Sequence, residues 1–110
     1  MASFTYFFKL RVDLAKSSSG EDLLSKWNEE AQAALGAMDA GIIQAWKDAA
    51  DTTVYVIATM EGENAIDAHG TALSIFGTLP MFQSGHLIME EARSVVPYRD
   101  WATYLANKTS

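Results

Sequence analysis

The chain has 110 residues, 49% of them hydrophobic, and eight basic against 14 acidic residues give a formal net charge of −6. It contains no cysteine, which removes disulfides, thiolate nucleophiles, iron–sulfur clusters and cysteine zinc sites together. Its few basic residues are scattered and no Gly-rich phosphate loop is present, so nucleic acid is not an expected partner.

The first segment, Phe4 to Leu14 (FTYFFKLRVDL), alternates Phe4, Tyr6, Phe8, Leu10 and Val12 with Thr5, Lys9, Arg11 and Asp13. A period of two, rich in aromatic and branched side chains, predicts a strand with one apolar face. The opening MASFTYFFKL has no basic run ahead of its apolar residues, so it reads as folded structure rather than a secretory signal. No window nears the roughly 20 apolar residues that span a bilayer. A cytoplasmic protein without a membrane partner is expected.

Residues 15–20 read as a polar loop, the serines at 17–19 as loop and cap residues outside any nucleophile elbow. Ser18 with Glu21, or Ser19 with Asp22, has the spacing of a helix-capping box. Leu23, Leu24, Trp27, Ala31, Ala34, Leu35 and Met38 then recur at helical spacing, with Gly41 as the stop. Ile42 to Asp48 predicts a second strand and Thr53 to Met60 a third, the latter apolar on both faces and therefore central. A second helix is expected over 65–76, with Ala65, Ile66, His69, Ala72, Leu73 and Phe76 inward. Residues 86–96 predict the fourth strand, and Pro97 opens an aromatic tail with Tyr98, Trp101 and Tyr104.

Strand, helix, strand, strand, helix, strand is the ferredoxin-like βαββαβ pattern, an α+β fold with an antiparallel four-stranded sheet and both helices on one face. The whole chain is read as one domain, its core over about 3–96 and its tail over 97–110. Two helices cover one side of a sheet. The other side, bearing Phe7, predicts a second layer from another copy, hence a homodimer.

Several motifs resemble those of the muconolactone Δ-isomerases. Phe8-Lys9-Leu10-Arg11-Val12-Asp13-Leu14 is similar to that family's first strand. Glu29-Glu30-Ala31-Gln32, Trp46-Lys47 and Tyr55-Val56-Ile57 look like its middle, and Leu79-Pro80-Met81-Phe82 like its turn before the last strand. The resemblance runs from about Tyr6 to Ala92. It implies a dimeric α/β-barrel, often within a larger ring, with a pocket between sheet and helices. The implied chemistry is cofactor-free isomerisation of small acidic products of aromatic breakdown. The tail after Pro97 has no counterpart in that pattern. The family's acid–base glutamate falls near Trp27 or Asn28, with Glu29 and Glu30 the nearest carboxylates.

Moving a double bond in an unsaturated lactone needs one base with a pKa near neutral, a dry pocket and a cation for the substrate carboxylate. His69, in the second helix stripe among small Ala65 and Ala72, is a candidate base; the competing reading is a buried histidine bonded to a backbone carbonyl. Glu30 borders the first helix stripe one turn from Trp27 and is the second candidate, against a solvated rim glutamate. Arg11 is a candidate anion contact or a structural partner of Asp13 or Glu90. Tyr6, Trp27, Leu73 and Phe76 complete the expected substrate-binding set. His86, in a Gln-Ser-Gly-His turn, is expected to be exposed, and no metal-ligand spacing is present. A cofactor-free oxygenase or cyclase acting on an aromatic polyketide, or a non-catalytic binding or assembly protein, is the alternative function.

Overall fold

Alternation in the first segment becomes strand β1 (Ala2–Val12) in the computed structural model, which describes residues 2–16 and 18–109. Ser17, one of the three loop serines, lies outside the described residues. Tyr6, Phe8, Leu10 and Val12 are buried on one side of β1, while Thr5, Phe7, Lys9 and Arg11 on the other stay partly exposed. Helix α1 (Gly20–Asp39) follows, then β2 (Ile43–Lys47), β3 (Thr53–Gly62), α2 (Ala65–Gly77), the single turn α3 (Pro80–Gln83), β4 (Leu87–Val95) and α4 (Tyr98–Thr109). The strand order is β2-β3-β1-β4 and every neighbouring pair is antiparallel. The two most apolar strands are central, as their composition requires. The chain is α+β and its topology is compatible with a ferredoxin-like fold.

The core fills the space between the helices and one side of the sheet. Phe8 and Val12 are fully buried, and Phe8 meets Phe76 of α2 edge-on with ring centroids 4.5 Å apart. Burying a side chain of this size contributes roughly 1.5–3 kcal/mol. Between β1 and β4 the register shifts after Lys9, which faces Glu91, while Leu10 faces Met89. Glu90 is the extra residue of this bulge, and a bulge re-aims the side chain it inserts. Here Glu90 accepts a hydrogen bond from Arg11 Nε at 3.1 Å.

Of the two capping boxes the structure uses the second. Ser19 Oγ accepts the Asp22 N–H at 3.0 Å, and Asp22 accepts the Ser18 N–H at 3.3 Å. Gly36 lies inside α1, and Gly41, with φ +77°, makes the left-handed turn into β2 that a side chain would strain.

Helix α2 is phased differently from the expected stripe. Ala68, Ala72 and Phe76 are buried and Ile75 is packed on the core, whereas Ala65, Ile66, His69 and Leu73 are exposed. Its start is fixed by tertiary contacts. Asn64 caps Asp67, Tyr6 Oη donates to the Ala65 carbonyl at 3.3 Å, and Gly62 approaches Ala68 so closely that a Cβ would lie 2.9 Å from its nitrogen. The smallest side chains therefore turn toward the sheet, and His69 turns away.

Two further differences lie after α2. The turn expected at Leu79-Pro80-Met81-Phe82 holds the short helix α3. Pro80 occupies the first position of α3, where its missing N–H is not needed. His86, expected at the surface, is only 5% exposed. Its Nδ1 lies 2.6 Å from Ser84 Oγ, and its carbonyl accepts the Asp13 N–H at 2.7 Å, drawing the turn inward. The tail forms a full helix, α4, with no residue buried.

Candidate active site

A cavity of about 320 Å³ lies between α1, α3, the end of α2 and the helix-covered side of the sheet. Its walls are almost wholly apolar, and its polar side chains are Glu30 and Lys47, with the Trp27 indole beside them. Small residues on α1, Ala31 and Ala34, with Ala45 of β2 and Ala58 of β3, leave this space open. Packed interiors rarely keep a void so large without a use for it.

Glu30 is the one buried residue of α1. Its Oε1 accepts the Met81 N–H at 2.9 Å, a donor in the first turn of α3 that has no acceptor within that helix. Glu30 thus ties α1 to α3 while its carboxyl borders the cavity. Burial pushes this carboxyl above its ordinary value of 4.5, and the Met81 N–H offsets part of the rise. A charge held in apolar surroundings favours the neutral form. The folded state therefore holds the proton more tightly than the unfolded chain. Glu30 costs no stability in acid, and its cost grows as pH climbs from the ordinary glutamate value through the raised one. Glu30→Gln keeps an acceptor for Met81 and removes that cost. The variant is expected to melt above the wild type at about pH 8, and the gain is expected to vanish near pH 4; thermal melts across pH measure this.

The other candidate residues divide cleanly. Trp27 and Phe76 line the cavity with Glu30. Tyr6 is buried beside it, stacked on Phe8 with centroids 6.1 Å apart, and does not reach the wall. His69 is exposed on the outer side of α2, its ring centroid 6.1 Å from that of Tyr6. Leu73 is also on that outer side, 48% exposed. Neither borders the cavity, because α2 is rotated from the phase expected of it. Arg11 is on the opposite side of the sheet, paired with Glu90, while Asp13 accepts the Ala15 N–H. Among the described residues no group of His, Cys, Asp and Glu gathers to hold a metal ion.

Two contributors escaped the sequence. The Met81 N–H is a backbone group and has no side-chain signature. Lys47 closes the loop between β2 and β3, donating to the Asp48 carbonyl at 2.6 Å and the Asp51 carbonyl at 2.7 Å. Its Nζ also sits 5.8 Å from the Trp27 ring centroid, within cation–π range. The alternation of β2, which puts Ile43, Ala45 and Lys47 on one side, was the available sign that Lys47 faces the helices. No helix among the described residues is long and apolar enough to cross a membrane. No protein-family model, curated protein or solved structure matches this chain.

Proposed function

We propose that this chain is a cofactor-free enzyme that moves a proton between two carbons of a small ring compound, as the resemblance to muconolactone Δ-isomerases implies. The observation that carries the reading is Glu30: a single buried carboxyl, raised in pKa and anchored by Met81, in the wall of an apolar cavity. Its carboxylate removes a ring C–H proton, and the electron pair delocalises into the lactone carbonyl as a dienolate. The protonated Glu30 returns the proton at the other end of the conjugated system, which shifts the double bond and restores the carboxylate. One group serves both steps, and a dry site keeps its proton from exchanging into bulk water. Activity should rise with pH as Glu30 ionises, with the limb displaced above the ordinary glutamate range.

Lys47, rather than Arg11, is the cation at this cavity. An ammonium has three donors, and two go to the Asp48 and Asp51 carbonyls. The remaining donor is available to a substrate carboxylate beside Trp27. Lys47→Met is expected to raise KM about 10- to 100-fold, the worth of a charge-assisted hydrogen bond, with a smaller change in kcat; steady-state kinetics on an acidic lactone measure the split. The enzyme is read as a cytoplasmic homodimer whose uncovered sheet sides meet. Phe7 and Tyr55 stack there with centroids 6.4 Å apart.

A test of the reaction uses a β,γ-unsaturated five-membered lactone in deuterated water, followed by proton NMR. Wild type should shift the double bond with little deuterium incorporated, because the abstracted proton is returned by the shielded carboxyl, while Glu30→Gln binds the lactone without shifting it. Equal rates of double-bond shift by both proteins would reject Glu30 as the base. The apolar walls, with Trp27 and Phe76 among them, favour a second reading, an oxygenase or cyclase for an aromatic polyketide. Oxygen uptake with a phenolic substrate distinguishes oxygenation from isomerisation, which consumes none.

A further inference from the structure

Helix α4 has an apolar stripe that no other described element of its own chain buries. Tyr98, Trp101, Tyr104 and Leu105 share one side of the helix, and Trp101 is stacked on Tyr104 with centroids 5.5 Å apart. Even so, Trp101 is 46% and Tyr104 50% exposed, and α4 makes no extended contact with any other described element. A 12-residue helix is marginal in water on its own, because nucleation is costly and its stability must come from packing.

A complementary surface lies on the opposite edge of the molecule. Leu35 and Met38 of α1 line the cavity and are also exposed at its rim. That rim flanks β2, whereas α4 leaves from β4, the other edge strand. Three strand spacings put about 14 Å between those edges, so the two surfaces of one chain face apart. They do share one end of the sheet: Val95, Thr5 and Thr59 are level, and the Thr59 N–H bonds the Ile42 carbonyl beside the start of β2.

We propose that the apolar stripe of α4 seats on the cavity rim of a second copy of this chain and closes the cavity there. This rests on the homodimer reading and not on the catalytic one. Sheets stacked on a twofold axis parallel to their strands lay β4 of one copy over β2 of the other and keep the strand ends level. The helix, about 18 Å long, then starts beside the partner rim. Charge agrees. α4 carries Arg99 and Lys108 against Asp100, while α1 ends at Asp39 with no basic residue in its last turn, leaving the negative end of its dipole uncompensated. The arrangement is reciprocal, so each copy contributes Trp101 and Leu105 to the mouth of its partner's cavity.

The chain has no cysteine, which makes disulfide trapping clean. Full-length Leu35→Cys and Leu105→Cys proteins, purified separately, are mixed under mild oxidation and read by non-reducing gel and mass spectrometry. Leu105→Cys with Ile66→Cys, an exposed site on α2, is the control. Apposed surfaces should give about tenfold more of the Leu35–Leu105 heterodimer than of the control, since cross-linking needs Cα atoms within about 7 Å. A dimer in sedimentation without this preference overturns arm docking and leaves self-association standing. A monomer at every concentration overturns both, and a monomer that sediments with phosphatidylglycerol vesicles assigns α4 to a lipid surface instead.

Discussion

Glu30→Gln is expected to lower turnover of an unsaturated lactone by about 10²–10⁴-fold, the usual contribution of a positioned acid–base group. Gln is close in shape, and its carbonyl can still accept the Met81 N–H that now bonds Glu30 Oε1 at 2.9 Å. The tie between α1 and α3 therefore persists while the proton carrier is gone. KM should change little, because Gln preserves the shape of the cavity wall at this position. His69→Ala is the informative companion: an exposed imidazole outside the cavity should leave turnover at the wild-type level. Stopped assays on both variants, with binding of the lactone measured separately, distinguish lost chemistry from lost fold. Were His69→Ala the damaging change, the proton carrier would have been misassigned.

Phe8→Ala should cost about 3–5 kcal/mol, the range for a large aromatic removed from a packed core. Phe8 is 1% exposed and touches both layers, stacking along β1 on Tyr6 and meeting Phe76 of α2 edge-on. Its loss opens a space that the central strand, held by ladders on both sides, cannot collapse to fill. Net stability of a domain is about 5–15 kcal/mol, so the variant should be close to unfolding. Urea denaturation should show a lower midpoint with an unchanged slope. Phe7→Ala is the contrast. Its ring lies on the uncovered side with Tyr55, so its removal should cost the monomer less and, in the proposed homodimer, should act chiefly by weakening self-association.

The strands were legible because a period of two admits one solution once the flanking turns are fixed. β1 shows this, its even-numbered positions from Tyr6 to Val12 all buried. Helix α2 was not, because apolar residues lie on two sides of it. Ile66 and Leu73 make one candidate stripe, Ala68, Ala72, Ile75 and Phe76 another, and periodicity alone does not choose. Gly62 chooses, through a close approach to Ala68 that exists only in three dimensions. His69 was drawn into the site by that phase error.

Glu30 was readable as the α1 carboxylate nearest the apolar stripe, but its anchor was hidden. The Met81 N–H comes from a turn that begins at Pro80, and proline reads first as a helix stop and only second as a helix start. His86 was misplaced for a related reason. Gly85 beside it, with φ +79°, signals a turn, and turns are usually exposed, yet this one is pulled inward by Ser84 and Asp13. Arg11 was placed correctly on the side away from Phe8, and the bulge that brings Glu90 to it left no trace in the sequence.

Carbon-13 NMR titration of the glutamate side-chain carboxyls, with Glu30 assigned from the spectrum of Glu30→Gln, reads the central feature directly. One glutamate should titrate above the ordinary value of 4.5, and filling the cavity with indole should raise it further as remaining water leaves. If every glutamate titrated together in the ordinary range and none responded to indole, no buried acid–base group would border a ligand cavity in this protein.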